Sequence, residues 1–110
     1  MAHLLDILLM AKDAVNFTKG MNKDAFLSDL KCQYAVIRCL EVIGEATKRL
    51  SEDFQREYAD IPWSKMARMR DLLIHAYGRV DPNEVWDTIQ NDLPPLISAL
   101  EKIVPPEDEP

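Results

Sequence analysis

The stretch "KDAFLSDLKCQYAVIRCLEVIGEATKRL", Lys23–Leu50, decides the fold. Cys32, Val36, Cys39, Ile43, Ala46 and Leu50 recur at alternating steps of four and three, the period that stacks side chains along one stripe of an α-helix. A strand would need alternation by two, and no such run lasts here. Asn22 stands just ahead, with the short polar side chain that caps a helix start. A second apolar row, Phe26, Leu30, Ile37 and Leu40, lies on another side of the same predicted helix. A helix apolar on two sides needs two partners. In so small a chain one of them is either another subunit or the rest of the bundle core. Gly44, inside this helix, costs about 1 kcal/mol relative to Ala, which a close helix crossing would justify.

On either side the same period continues. Ala2–Phe17 aligns Leu4, Leu8, Ala11 and Val15 and stops at "TKGMN" around Gly20, a natural helix end. "SEDFQREYADIP" reads as a short helical turn and a connection, with Pro62 suited to the first turn of the next helix. That helix is predicted to end at Gly78. "DPNE" gives the following one a strong start, with Asp81 as cap, Pro82 in the first turn and Glu84 completing a capping box. Pro94 and Pro95 fit only a first turn, so a break is expected near Asn91, with Asp92 capping a last helix from about Leu93 to Val104. The expected fold is all-α, an antiparallel bundle of four to five helices in one domain over residues 1–104. "PPEDEP", residues 105–110, reads as an acidic, proline-rich tail, solvated and frayed.

The composition narrows the function. A net charge of −6 opposes general nucleic-acid affinity, but the charge is uneven: from Trp63 to Arg79 the cations are Lys65, Arg68, Arg70 and Arg79, against the single acid Asp71. The first residues, "MAHLLDILLMAK", lack a basic leader and Asp6 breaks their apolar run, so neither a signal peptide nor a membrane span is expected and the cytoplasm is the default. Cys32 and Cys39, about 10.5 Å apart along a helix axis, are too distant to bridge and read as core thiols. No Cys/His spacing of the zinc type occurs, and no metal or cofactor is expected.

"RDLLIHAY", Arg70–Tyr77, poses the functional question. On a helix, Ile74 and Tyr77 project within about 40° of Arg70, and Trp63, Met66 and Leu73 within about 60°. Arg70 therefore stands in the middle of an apolar stripe. His75 lies near the predicted helix end, where free carbonyls favour a protonated imidazole, and Asp71, four residues earlier, is placed to hold one ring nitrogen. This is an acid/base histidine with an orienting carboxylate, beside an arginine whose fork suits phosphate. An offset of five residues does not align Arg70 with His75 on a regular helix; they converge only at a distorted helix end or where two subunits meet. Each residue also has an ordinary structural use. A histidine at a helix end stabilises the dipole, an arginine in an apolar stripe snorkels or pairs, here with Glu41 or Glu45, and a tyrosine packs.

"MRDLLIHAYGRVD" resembles the R-x4-H-x-Y motif of the HepT-like toxins, ribonucleases of the HEPN superfamily, with Arg70, His75 and Tyr77 in its three positions. "IRCLEVIGEATKRL", "IPWSKMARMR" and "VWDTIQNDLPPLISALEKI" look like that family's segments, so the resemblance covers nearly the whole chain. It implies a HEPN-like helical bundle that dimerises and cuts RNA without a metal, using Arg70 and His75 at the dimer cleft. It also implies pairing with a minimal nucleotidyltransferase (MNT) antitoxin, and Tyr77 as the residue that takes AMP. The position after the arginine, often Asn in such motifs, is Asp71 here. The alternative is a non-catalytic module that binds nucleotide or RNA and pairs with the nucleotidyltransferase. Nothing in the residues specifies which RNA.

Overall fold

In a computed structural model, which describes residues 2–74 and 80–104, the chain is all-α. Its elements are α1 (Ala2–Phe17), α2 (Lys23–Leu27), α3 (Leu30–Lys48), α4 (Glu52–Glu57), α5 (Trp63–Ile74), α6 (Pro82–Asp87), a π-helical segment (Thr88–Asp92) and α7 (Leu93–Glu101). α3 packs between α1 and α5, and α1 also carries α7. The long helix thus finds two partners within its own chain. Val36, Cys39, Ile43 and Ala46 of the seam are buried, and Cys32 and Leu50 at its ends are half-buried.

Lys23–Leu50 forms two helices where one was predicted. No proline or glycine marks the break. Instead the Asp29 carboxylate accepts the Cys32 N–H at 3.0 Å, a local side-chain bond that competes with helix continuation. Gln33, almost fully buried, donates its amide to the carbonyls of Phe26 and Leu27 at 2.9 and 3.1 Å. The Phe26 carbonyl also accepts the Asp29 N–H at 3.1 Å, whereas the Leu27 carbonyl is one that the end of α2 leaves to a side-chain donor. The break re-aims the second apolar row: Phe26 is wholly buried and packs at a tilt on Trp86 with ring centroids 5.4 Å apart, whereas Leu30 is 62% exposed, as is Tyr34 beyond it at 68%.

α4 fixes the entry of α5. Gln55 donates to the carbonyls of Leu50 and Thr47 at 3.2 and 3.4 Å, holding α4 to the end of α3. The indole N–H of Trp63 then bridges the carbonyls of Tyr58 and Gln55 at 3.0 and 3.1 Å. So the first residue of α5 is anchored through its ring as well as by its backbone. The Gly78 end of this helix and the tail at 105–110 lie outside the described residues.

The expected break near Asn91 is a π-helical passage rather than a stop. Pro94 and Pro95 have no N–H to offer the carbonyls four residues earlier. The Leu93 N–H reaches the Thr88 carbonyl, five residues back, and the rod continues. Asp92 makes no capping bond; its carboxylate meets the Lys65 ammonium at 2.8 Å instead. Asp81 does cap α6, accepting the Asn83 N–H at 2.9 Å. Among the described residues Glu84 makes no return bond to it, so the capping box is half made. Both cysteines are free thiols. Burial pushes each thiol pKa up, helped by Asp29 at Cys32 and by Asp13 at Cys39. Among the described residues no helix is long and apolar enough to cross a membrane.

Candidate functional site

Trp63 and Met66, which share the Arg70 stripe, are buried, as is Met69; Arg70 itself is half-buried. The stripe faces α3, and Arg70 meets that helix closely at Gly44. A Cβ placed on Gly44 would lie 2.5 Å from Arg70 Cβ, 2.9 Å from its backbone nitrogen and 3.1 Å from its Cα. The missing side chain at Gly44 is what lets the Arg70 backbone sit against α3, and the glycine cost expected from sequence is spent on this crossing.

The ion pairs among the described residues are Lys12–Glu101, Arg49–Glu45, Arg56–Asp53 and Lys65–Asp92. Arg70 is in none of them. Glu45, expected as a partner, lies 3.4 Å from Arg49 on the same helix, and Glu41 forms no pair with Arg70 among the described residues. Asp71 falls on α5, but its side chain lies outside the described residues, as do His75 and Tyr77 altogether. The structure therefore fixes one member of the motif, Arg70, and the crossing that holds it.

Beside this crossing the structure adds residues that sequence reasoning left unassigned. A cavity of about 280 Å³ opens between α5 and α6, with Leu40, Met69, Val80 and Val85 as apolar lining and Lys65, Arg68, Glu84, Asp87 and Asp92 as charged lining. It is continuous with the motif segment in sequence: Met69 precedes Arg70 and Val80 follows Arg79. Lys65 and Arg68 also border a shallower surface groove that includes Gln55, Arg56 and Ser64. The clustering of cations from Trp63 to Arg79 was the signal for Lys65 and Arg68. Glu84 and Asp92 were hidden because each was assigned to a helix cap. Among the described residues no group of three or more His, Cys, Asp or Glu side chains is gathered so as to hold a metal ion.

A family model described as "Ribonuclease HepT-like" matches residues 7–103. A Methanocaldococcus jannaschii protein named "Putative RNase MJ0127" is 50% identical over 103 residues, spanning 94% of this chain and 85% of that one. "Probable ribonuclease HepT" of Thermococcus cleftensis is 46% identical over 101 residues, spanning 92% of each chain. No solved structure matches.

Proposed function

The chain belongs to the HepT-like ribonuclease family, and on that premise we propose that it is a metal-independent endoribonuclease toxin, held in check by an MNT-type nucleotidyltransferase antitoxin. The observation that carries this reading is the setting of Arg70, pressed backbone-first into the α3–α5 crossing at Gly44 and in none of the ion pairs among the described residues. A guanidinium whose base is fixed and whose charge is not already neutralised is suited to meet a phosphate.

In the proposed reaction the RNA 2′-hydroxyl attacks the adjacent phosphorus. The bond from O2′ to phosphorus forms, the bond to O5′ breaks, and a proton must leave the first oxygen and reach the second. His75 moves these protons and Arg70 stabilises charge on the phosphoryl oxygens. A homodimer that brings two copies of His75 together would supply both a base and an acid. Leu30 and Tyr34, the large apolar side chains α3 leaves exposed, support a dimer. Asp71 orients His75. Tyr77, seven residues beyond Arg70, is the residue onto which the antitoxin would transfer AMP from ATP. The phenolic oxygen would bond to the α-phosphorus as pyrophosphate leaves and the phenolic proton is lost, which would set a bulky anion against the guanidinium.

The test is an RNA-cleavage time course in EDTA with wild type and with His75→Ala, both shown to be folded. Cleavage by wild type alone is the expected result. RNA left intact by wild type, once mass spectrometry has excluded a modified Tyr77, would favour the non-catalytic binding module, a reading to which the net charge of −6 lends weight.

A further inference from the structure

The cavity between α5 and α6 carries charges that the proposed chemistry does not use. Of its charged lining, only Lys65 and Asp92 are satisfied by each other, at 2.8 Å. Arg68, Glu84 and Asp87, all exposed, take part in no ion pair among the described residues. The walls between them are apolar, from Leu40, Met69, Val80 and Val85. At about 280 Å³ the space is just below the ~300–1,000 Å³ of pockets that hold drug-sized molecules, a size for one ring system and its sugar. Its back edge is the π-helical segment, which contributes Thr88 and Asp92. Such segments recur at functional sites, where the widened turn re-aims side chains. The acids are not gathered as a metal would require.

A ligand that fits must be flat and partly apolar, must offer hydrogen-bond donors to carboxylates and must present a negative charge to Arg68. We infer that this cavity seats the base of one RNA nucleotide flanking the bond that is cut, with Glu84 and Asp87 accepting hydrogen bonds from the base edge and Arg68 pairing with the phosphate. Ionised carboxylates only accept, so they select bases by their donors. Guanine presents two adjacent donors, N1–H and the N2 amino group, which one carboxylate takes in the two-pronged manner it takes an arginine. Uracil places a carbonyl oxygen on either side of its single N–H and is repelled. The site is therefore a guanine-preferring subsite. Reading a splayed base on its pairing edge is the usual route to sequence preference in single-stranded RNA.

This inference rests on the ribonuclease reading for its placement beside the cut, but its test does not depend on cleavage. Calorimetry of the purified protein with GMP, UMP and guanosine should show GMP binding about tenfold or more tighter than UMP. The doubly substituted Glu84→Gln, Asp87→Asn protein should lose that preference. Arg68→Gln should weaken GMP and leave guanosine unchanged. All three positions are exposed, and circular dichroism verifies that the variants fold. Equal affinity for GMP and UMP up to millimolar concentration, or a preference that survives the double substitution, would overturn the subsite. RNA cleavage without any GMP preference would sink the subsite and leave the nuclease standing. GMP selectivity without cleavage would keep the base site and sink the nuclease.

Discussion

Gly44 and Arg70 meet backbone to backbone: there is no room at position 44 for a single carbon, because Arg70 Cβ would be 2.5 Å away. α3 therefore sets the depth at which the arginine proposed to meet phosphate is planted. Local propensity and tertiary packing oppose each other at this glycine, and packing has prevailed.

Gly44→Ala measures that opposition. In an isolated helix alanine would gain about 1 kcal/mol over glycine. Here the added carbon must push α5 away, and overpacking of this kind costs about 1–3 kcal/mol. A lower melting temperature and slower RNA cleavage are expected together in thermal unfolding and a gel assay. A raised melting temperature would mean that the two helices are not closed on each other in solution.

Arg70→Ala should slow cleavage by about 10²–10³, the cost typical of removing one donor to transition-state charge. It also removes an aliphatic stem that is half-buried. Arg70→Lys keeps most of that stem and the charge but loses the planar fork. Its melting temperature should stay near wild type while kcat falls. Full activity in the lysine variant would show that only a point charge is needed.

Gln33→Leu tests the joint between α2 and α3. It keeps bulk but strips the Leu27 carbonyl of its amide donor and leaves the Phe26 carbonyl with the Asp29 N–H alone, a loss of about 1–3 kcal/mol for an acceptor left unpaired away from water. Hydrogen exchange should quicken in α2 first. Uniform quickening across the chain would place the joint's energy elsewhere.

The thiols give the molecule a pH dependence. Both titrate above their ordinary value of 9.0 in the folded chain, through burial first and neighbouring acids second. As pH rises past that value the unfolded chain loses its thiol protons before the folded one does, so it binds fewer protons and stability falls. Denaturant titrations should give a midpoint that declines above pH 9.0, less so in Cys39→Ala after allowing for that variant's own cost. Iodoacetamide should label half-buried Cys32 before buried Cys39; the reverse order would contradict the packing of α3 against α1.

Much of the bundle was legible because its period is strong. Leu4, Leu8 and Ala11 are buried as their spacing implied, as are Val36, Cys39, Ile43 and Ala46. Two junctions were not. At Ser28–Asp29 the helical pattern runs through the break unaltered, and the deciding contact, Gln33 with the α2 carbonyls, joins residues whose pairing no local rule announces. At Asp92 the sequence offered an acid before two prolines, which suits a cap. A lysine on another helix claimed it, a tertiary choice that local chemistry cannot foresee. Of the site, the odd placement of Arg70 in an apolar stripe was readable from spacing, and so was the crossing that Gly44 permits. The cavity beside it was not, since Arg68 and Asp87 lie far apart in sequence and only the packing of α5 and α6 on α3 brings them to one space.

The π-helical passage has a further consequence for how this chain can change. One surplus residue between Thr88 and Asp92 shifts the rotational phase of everything after it by about 100°. α6 keys itself to Phe26 through Trp86, and α7 keys itself to α1, each in its own register. The passage works as a clutch between them. Substitutions that retune α6 need not be transmitted to the packing of α7, whereas deleting a single residue there would engage the two and turn one of the faces out of place.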